Sequence, residues 1–233
     1  NMAAQFVTFF LSLGINFFLA PFITKNVGKE IYGFVNLAFQ MTGYITIVTS
    51  ALNAMLGRYI TVNIGKKDYE TARSYFSSAM VANILLTAVF LPPVTIAILN
   101  LNHWLDVPVN SLVDVQLLWA FIFFDFFVSL ITNGYGVSTY AANRLDLSSR
   151  RSMESVFIRV ITLVSLFSFF PSRVWYVGFT KFLTGFFVVF TNIHYTKKLT
   201  PHLYFEKRLV KMQSIIQLIK TGVWNTVQQL SSI

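Results

Sequence analysis

The 233 residues are 55% hydrophobic and 17% aromatic, only 12% are charged, and mean hydropathy is +0.62. A soluble domain would carry about twice that charged fraction, so the composition describes a polytopic membrane protein. Net charge is +9, but the cations cluster between apolar runs and form no nucleic-acid patch; with no cysteine, a disulfide framework and thiol chemistry are excluded.

In chain order, a first span is expected over about Met2 to Phe22, ending near Pro21. Its Gln5, Thr8, Ser12 and Asn16 recur every three or four residues and share one face. A turn over Thr24–Glu30 leads to the second span, uncharged from about Gly33 to Leu56 and long enough to cross a hydrocarbon core of about 30 Å. On a helical wheel Asn36, Gln40, Gly43, Thr46, Ser50, Asn53 and Arg58 fall within an arc of roughly 140°. Such a face either glues helices together or lines a wet cavity, and the cavity is the favoured reading. The connector Arg58–Ser74 follows, where Asp68 is placed to cap the next helix.

The third span, about Tyr75 to Leu99, contains Pro92-Pro93, expected to kink or end the regular helix there. After the loop Asn100–Ser111 comes a fourth span, Leu112 to Tyr140, then the basic loop Ala141–Arg151. A fifth span, Ser152 to Phe170, turns at Pro171-Ser172-Arg173 into a sixth, Val174 to Tyr195. The basic connector Thr196–Gln213 leads to an amphipathic segment from Ser214 that begins a seventh. The fold class is therefore all-α: a six-helix lobe over residues 1–195, with residues 196–233 as connector and start of the next span. The chain starts and stops inside apolar runs, so it is expected to be a piece of a longer protein. Connectors 2–3, 4–5 and 6–7 hold twelve Lys/Arg against three in the others, which places those connectors and the N-terminus on the cytoplasmic side.

Three charges fall within spans. Asp125 and Lys181 lie at similar depth, roughly 21–22 Å from the cytoplasmic ends of their spans, so they form an ion pair that either ties spans 4 and 6 or couples transport to an ion. Arg159, roughly 10 Å in, either snorkels to the surface or lines a cavity. Arg58 continues the polar face at the cytoplasmic mouth, where a guanidinium suits phosphate; its plainer role is a topological anchor. The cavity candidates are thus Asn16, Asn36, Gln40, Ser50, Asn53, Arg58 and Arg159. His103, His194 and His202 have no ligand spacing, so no metal is expected; nor is a cofactor, since no phosphate-binding Gly-Lys loop is present. No acid/base or nucleophile constellation points to an enzyme. The tryptophans read as interfacial belts and the 25 phenylalanines mostly as lipid-facing filler.

Val27, Gly28, Tyr32, Gly33 and Leu37, then Ala51, Leu52, Asn53, Met55, Arg58, Tyr59, Ile60 and Thr61, together with NRLDLSSRR and the later VWYVGF, resemble polysaccharide repeat-unit flippases. These belong to the superfamily that includes multidrug extruders and lipid II flippases. The resemblance implies twelve to fourteen spans in two lobes around a central cavity, of which this chain is the first lobe. It implies that an undecaprenyl-diphosphate-linked oligosaccharide is moved from the cytoplasmic to the outer leaflet. Implied partners are that lipid-linked oligosaccharide, membrane lipids and polysaccharide polymerase or assembly proteins, with a monomer as the default and no nucleic acid. The runner-up is a cation-coupled drug or toxin extruder, and a membrane-embedded glycosyl or acyl transferase stands third.

Overall fold

The computed structural model describes residues 2–231, with side chains for residues 8–10, 13–15, 17–50 and 52–224. The helices are α1 (Met2–Val27), α2 (Lys29–Asn53), α3 (Leu56–Gly65), α4 (Tyr69–Leu99), α5 (Leu101–Trp104), α6 (Leu112–Ile131), α7 (Val137–Ala141), α8 (Leu145–Phe169), α9 (Trp175–Leu199) and α10 (Met212–Ser231). No strand occurs among the described residues. Six of these helices, α1, α2, α4, α6, α8 and α9, are long and apolar enough to cross a membrane, and the protein is an all-α polytopic bundle. The amphipathic α10 is not among the six.

Several boundaries differ from the sequence expectation. Helix α1 runs through Pro21 to Val27, and the turn shrinks to Gly28, whose φ of +88° places it in the left-handed region. The Gly28 N–H returns to the Thr24 carbonyl (2.9 Å), so one glycine ends α1 and α2 starts at once. Helix α4 likewise continues past Pro92-Pro93. A proline removes only its own i→i−4 bond, and within a membrane the flanking turns have no water to unravel into.

Two expected continuous spans are instead broken. The second breaks at Ala54–Met55. Just before the break Thr49, Ser50 and Asn53 hydrogen-bond back to the carbonyls of Thr46, Ile47 and Thr49, the local competition that loosens helices. The fourth ends at Ile131, where a 3₁₀ turn over Asn133–Gly136 leads into the five-residue α7. Gly134 lets the Phe76 ring pack against that turn, since a Cβ there would meet the ring at 2.9 Å. Irregular backbone in apolar surroundings needs internal partners. The Tyr135 carbonyl has the Thr196 and Ser138 hydroxyls at 2.9 and 3.1 Å. The fifth span starts at Leu145, earlier than expected, because LDLSSRR is helical.

The chain divides into two compact units, one of residues 1–42, 90–127 and 146–188, the other of 43–89, 128–145 and 189–233. In the first, α6 and α9 meet along a glycine seam. A Cβ on Gly178 would lie 2.7 Å from the Leu118 carbonyl, and one on Gly185 would lie 1.5 Å from the Asp125 carboxylate. Both helices advance seven residues between these contacts, so they run side by side in the same direction with backbones in close approach. Beside the seam runs a ladder of rings, with Phe121 against Trp175, Phe179 and Phe182, and Phe124 against Phe182 and Phe186, at centroid distances of 5.5–6.3 Å. These phenylalanines pack helix on helix and are not simply lipid-facing filler. Trp175 belongs to this ladder as well.

In the second unit, α4 turns a serine face to the connector before α10. Ser74, Ser77 and Ser78 are almost fully buried. The Ser74 hydroxyl donates to the Leu209 carbonyl (2.8 Å), while Ser77 and Ser78 accept the backbone N–H groups of Glu206 and Lys211 (2.9 Å each). Arg73 bonds the Tyr204 hydroxyl and pairs with Glu206 at 3.0 Å. Tyr59 stacks on Tyr75, whose hydroxyl donates to Gln217 of α10. The connector is therefore strapped to α4 through its own backbone. At the start of α4, Asp68 caps as expected, accepting the Thr71 N–H at 3.1 Å.

Two outcomes follow. Gly185→Ala drives a methyl into the Asp125 carboxylate and should cost more than the ~1–3 kcal/mol of ordinary overpacking, read as a lowered thermal midpoint in detergent, whereas Gly14→Ala, with open space around it, should be silent. The Asp68 carboxyl is held below its ordinary value of 3.8, chiefly by the Thr71 N–H. A depressed folded-state value means that its contribution is present above 3.8 and lost as pH falls through the folded value. Asp68→Ala should remove that acid-side loss from the melting profile.

Candidate functional site

Four of the residues singled out by the sequence carry charge, and the structure treats them differently. Lys181 Nζ lies 3.1 Å from Asp125 Oδ2. The Asp125 side chain is 5% exposed and that of Lys181 is 41% exposed, so the lysine reaches in from the edge while the carboxylate occupies the slot left by Gly185. The missing Cβ makes room for the pair.

Arg159 lies fourteen residues, about 21 Å, along α8 from its first residue, Leu145. It is partly buried, and its Nε has no hydrogen-bond partner among the described residues.

The polar arc of the second span divides into separate cases. Asn36 and Gln40 are exposed, whereas Val35 and Ala38 on the same helix are buried. Ser50 is partly buried and spends its hydroxyl on its own helix. Asn53 faces Asn83 of α4, and the two amides bond reciprocally, at 3.1 and 3.0 Å. Asn83 is 1% exposed, so here the polar residue serves as interhelical glue. The Asn16 side chain lies outside the described residues. Arg58 lies on α3, beyond the break at Ala54–Met55.

Arg58 instead faces α10. With Met55, Tyr59 and Val62 of the α3 region it lines a cleft of about 590 Å³ whose other wall is Lys220, Thr221 and Trp224. Neither Arg58 nor Lys220 has an ion-pair or hydrogen-bond partner among the described residues. Two exposed cations thus flank one cleft with Tyr59 and Trp224 as aromatic walls, a combination that can bind an anionic headgroup and stack a ring face. Lys220 and Trp224 were not among the sequence candidates. Their signal was present, since Lys220 and Trp224 are four residues apart on one helix face, but nothing in the sequence aligned that face with Arg58. Among the described residues, no cluster of three or more His, Asp or Glu side chains could hold a metal.

Over 230 residues the chain is 26% identical to the "uncharacterized membrane protein EpsK" of Bacillus subtilis (strain 168), an alignment covering 99% of this chain and 46% of that protein. The chain thus spans about half the length of this curated relative. No family model matches the chain, and no solved structure matches it.

The Asp125–Lys181 geometry gives an asymmetric expectation. Lys181→Ala strands a buried carboxylate and should cost about 3 kcal/mol, whereas Asp125→Ala leaves a half-exposed lysine that can turn outward and should cost less. In a double-mutant cycle by thermal unfolding, Lys181→Ala should be largely rescued by Asp125→Ala; additive losses would refute the pairing.

Proposed function

We infer that this chain is the first lobe of a flippase that moves an undecaprenyl-diphosphate-linked oligosaccharide from the cytoplasmic to the outer leaflet of a bacterial inner membrane. The single observation that carries the reading is the Arg58–Lys220 cleft, two cations with no counter-anion beside aromatic walls. A diphosphate supplies the missing charge, and sugars supply faces for Tyr59 and Trp224. The sequence resemblance supports the same reading, and so does the alternation of basic connectors, which orients the cleft and the N-terminus toward the cytoplasm. The membrane protein from Bacillus subtilis to which the chain is similar over its whole length is consistent with a longer, two-lobed protein. Polymerase or assembly proteins would act on the product, and the lobes would work as one monomer. The chemistry is transport by alternating access, with no covalent step. The extruder alternative would need a carboxylate free to take a cation, and Asp125 is already paired with Lys181.

The test uses the full-length chain in a strain lacking its own repeat-unit flippase and shown to make a matching sugar, with surface polysaccharide and the pool of lipid-linked oligosaccharide measured together. The expected outcome is restored polymer and a drained pool. Arg58→Ala and Lys220→Ala should each cut export by about tenfold, the worth of one charge-assisted hydrogen bond, at unchanged protein level. Full export in the double variant would remove the cleft from the mechanism, and a failure of the parent chain to rescue would overturn the function.

A further inference from the structure

A second cleft, separate from the one just described, lies where α3 turns into α4 and the chain leaves α9. It has a volume of about 250 Å³. Its floor is apolar, formed by Ile64, Ala72 and Leu203, and its edge carries the Tyr69 and His202 rings, whose centroids are 4.3 Å apart. Its depth is fixed by the helices themselves. Tyr69 is the first residue of one membrane span and Leu199, also in the lining, is the last of another. The cleft therefore lies at one end of two helices long and apolar enough to cross a membrane.

The chain around it is basic. Lys66 and Lys67 lie between the lining residues Ile64 and Tyr69, and Lys197 and Lys198 immediately precede Leu199. All four are exposed, and none of their side-chain ammonium groups has a hydrogen-bond or ion-pair partner among the described residues. Two acids share the neighbourhood, both exposed. Asp68 already accepts the Thr71 N–H, with the Lys66 charge near it, and Glu70 lies in the first turn of α4.

Lys67 carries a further mark. Its φ is +59°, and the bonds from Lys67 N–H to Ile64 and from Asp68 N–H to Asn63, both 2.9 Å, make it the left-handed residue that closes α3 in a Schellman turn. Glycine is the favoured residue there, and Asn143 occupies the equivalent position after α7 (φ +53°). A lysine accepts strain at this point and keeps its charge two residues from the lining residue Tyr69.

We propose that this cleft is a binding site for the phosphate headgroup of an anionic phospholipid such as phosphatidylglycerol, held by the lysines that flank its lining in the chain and seated between the Tyr69–His202 pair and the apolar floor. Basic pockets between membrane helices are suited to such headgroups. The floor takes the glycerol end and the start of an acyl chain, which a soluble phosphate ester lacks. The site is independent of the Arg58–Lys220 cleft and does not rest on the transport reading.

The test uses a cysteine-free version of the full chain with one fluorophore on Pro201→Cys, at the cleft edge, in nanodiscs of phosphatidylcholine alone or mixed with phosphatidylglycerol carrying a quencher on the headgroup. Quenching by phosphatidylglycerol should exceed that by equally labelled phosphatidylcholine, and at low salt the preference should fall about fivefold for each lysine changed to glutamine among Lys66, Lys67, Lys197 and Lys198. Lys207→Gln, away from the lining, should leave it unchanged. Lys67→Gly separates structure from binding, since it should raise the thermal midpoint while still weakening the preference. Equal quenching by both lipids, or a preference that survives the four substitutions, would overturn the proposal. Displacement by free glycerol phosphate at concentrations comparable to the lipid would reassign the site to a soluble phosphate ester and overturn the lipid assignment.

Discussion

Within hydrocarbon, apolar side chains have no reason to prefer one another over lipid, so helices are held by close approach of small residues and by polar groups that have nowhere else to bond. That constraint accounts for the contacts found within each unit. In one, Gly178 and Gly185 let α9 approach α6 until a carbonyl and a carboxylate occupy the space of missing side chains. In the other, an amide pair joins α2 to α4, and three buried serines join α4 to the connector before α10. The large apolar residues that dominate the composition contribute surface, and many of them, such as Phe17, Phe18 and Val89, face outward.

The same constraint separates the polar residues that build from those that are free to act. Asn53 has an exact partner in Asn83, and its amide is spent. Asp125 has Lys181 and a slot shaped for it. Arg58 and Lys220 have no such partner, although each is a strongly hydrated or hydrogen-bonding group whose presence beside a cleft needs a reason. A single basic residue near a span end is explained by topology alone. Two on different helices, converging on one cleft with aromatic walls, ask for an anion.

How far the sequence could be read follows from the range of the forces involved. Span number and class depend on hydropathy summed over about twenty residues, which is local, and six apolar helices were legible. The N-cap at Asp68 was legible too, because a cap is decided within four residues. The breaks at Ala54–Met55 and Asn133–Gly136 were not. At the first, side chains compete for backbone carbonyls; at the second, Gly134 accommodates the close approach of Phe76, which is distant in sequence. The prolines misled in the opposite direction, since Pro21, Pro92 and Pro93 are breakers in water but are carried by the helix here. LDLSSRR looks like a polar loop, yet it forms the first two turns of α8.

The strap on α4 changes what the connector to α10 can be. The stretch with Thr200, Pro201, His202 and several lysines reads in sequence as a basic connector, and a connector without contacts would leave α10 free to adopt any position. Here its backbone N–H groups at Glu206 and Lys211 are accepted by Ser77 and Ser78, and Arg73 grips Tyr204 and Glu206. Hydrogen bonds from buried hydroxyls to backbone do not depend on which side chains the connector carries, so its path is held while its surface stays free to be basic. That fixed path does two things at once. It presents Lys220 and Trp224 opposite Arg58, and it closes the outer wall of the cleft at Tyr69 and His202. Both clefts of this unit thus share one support, a serine face whose buried hydroxyls hold the segment that helps to wall them.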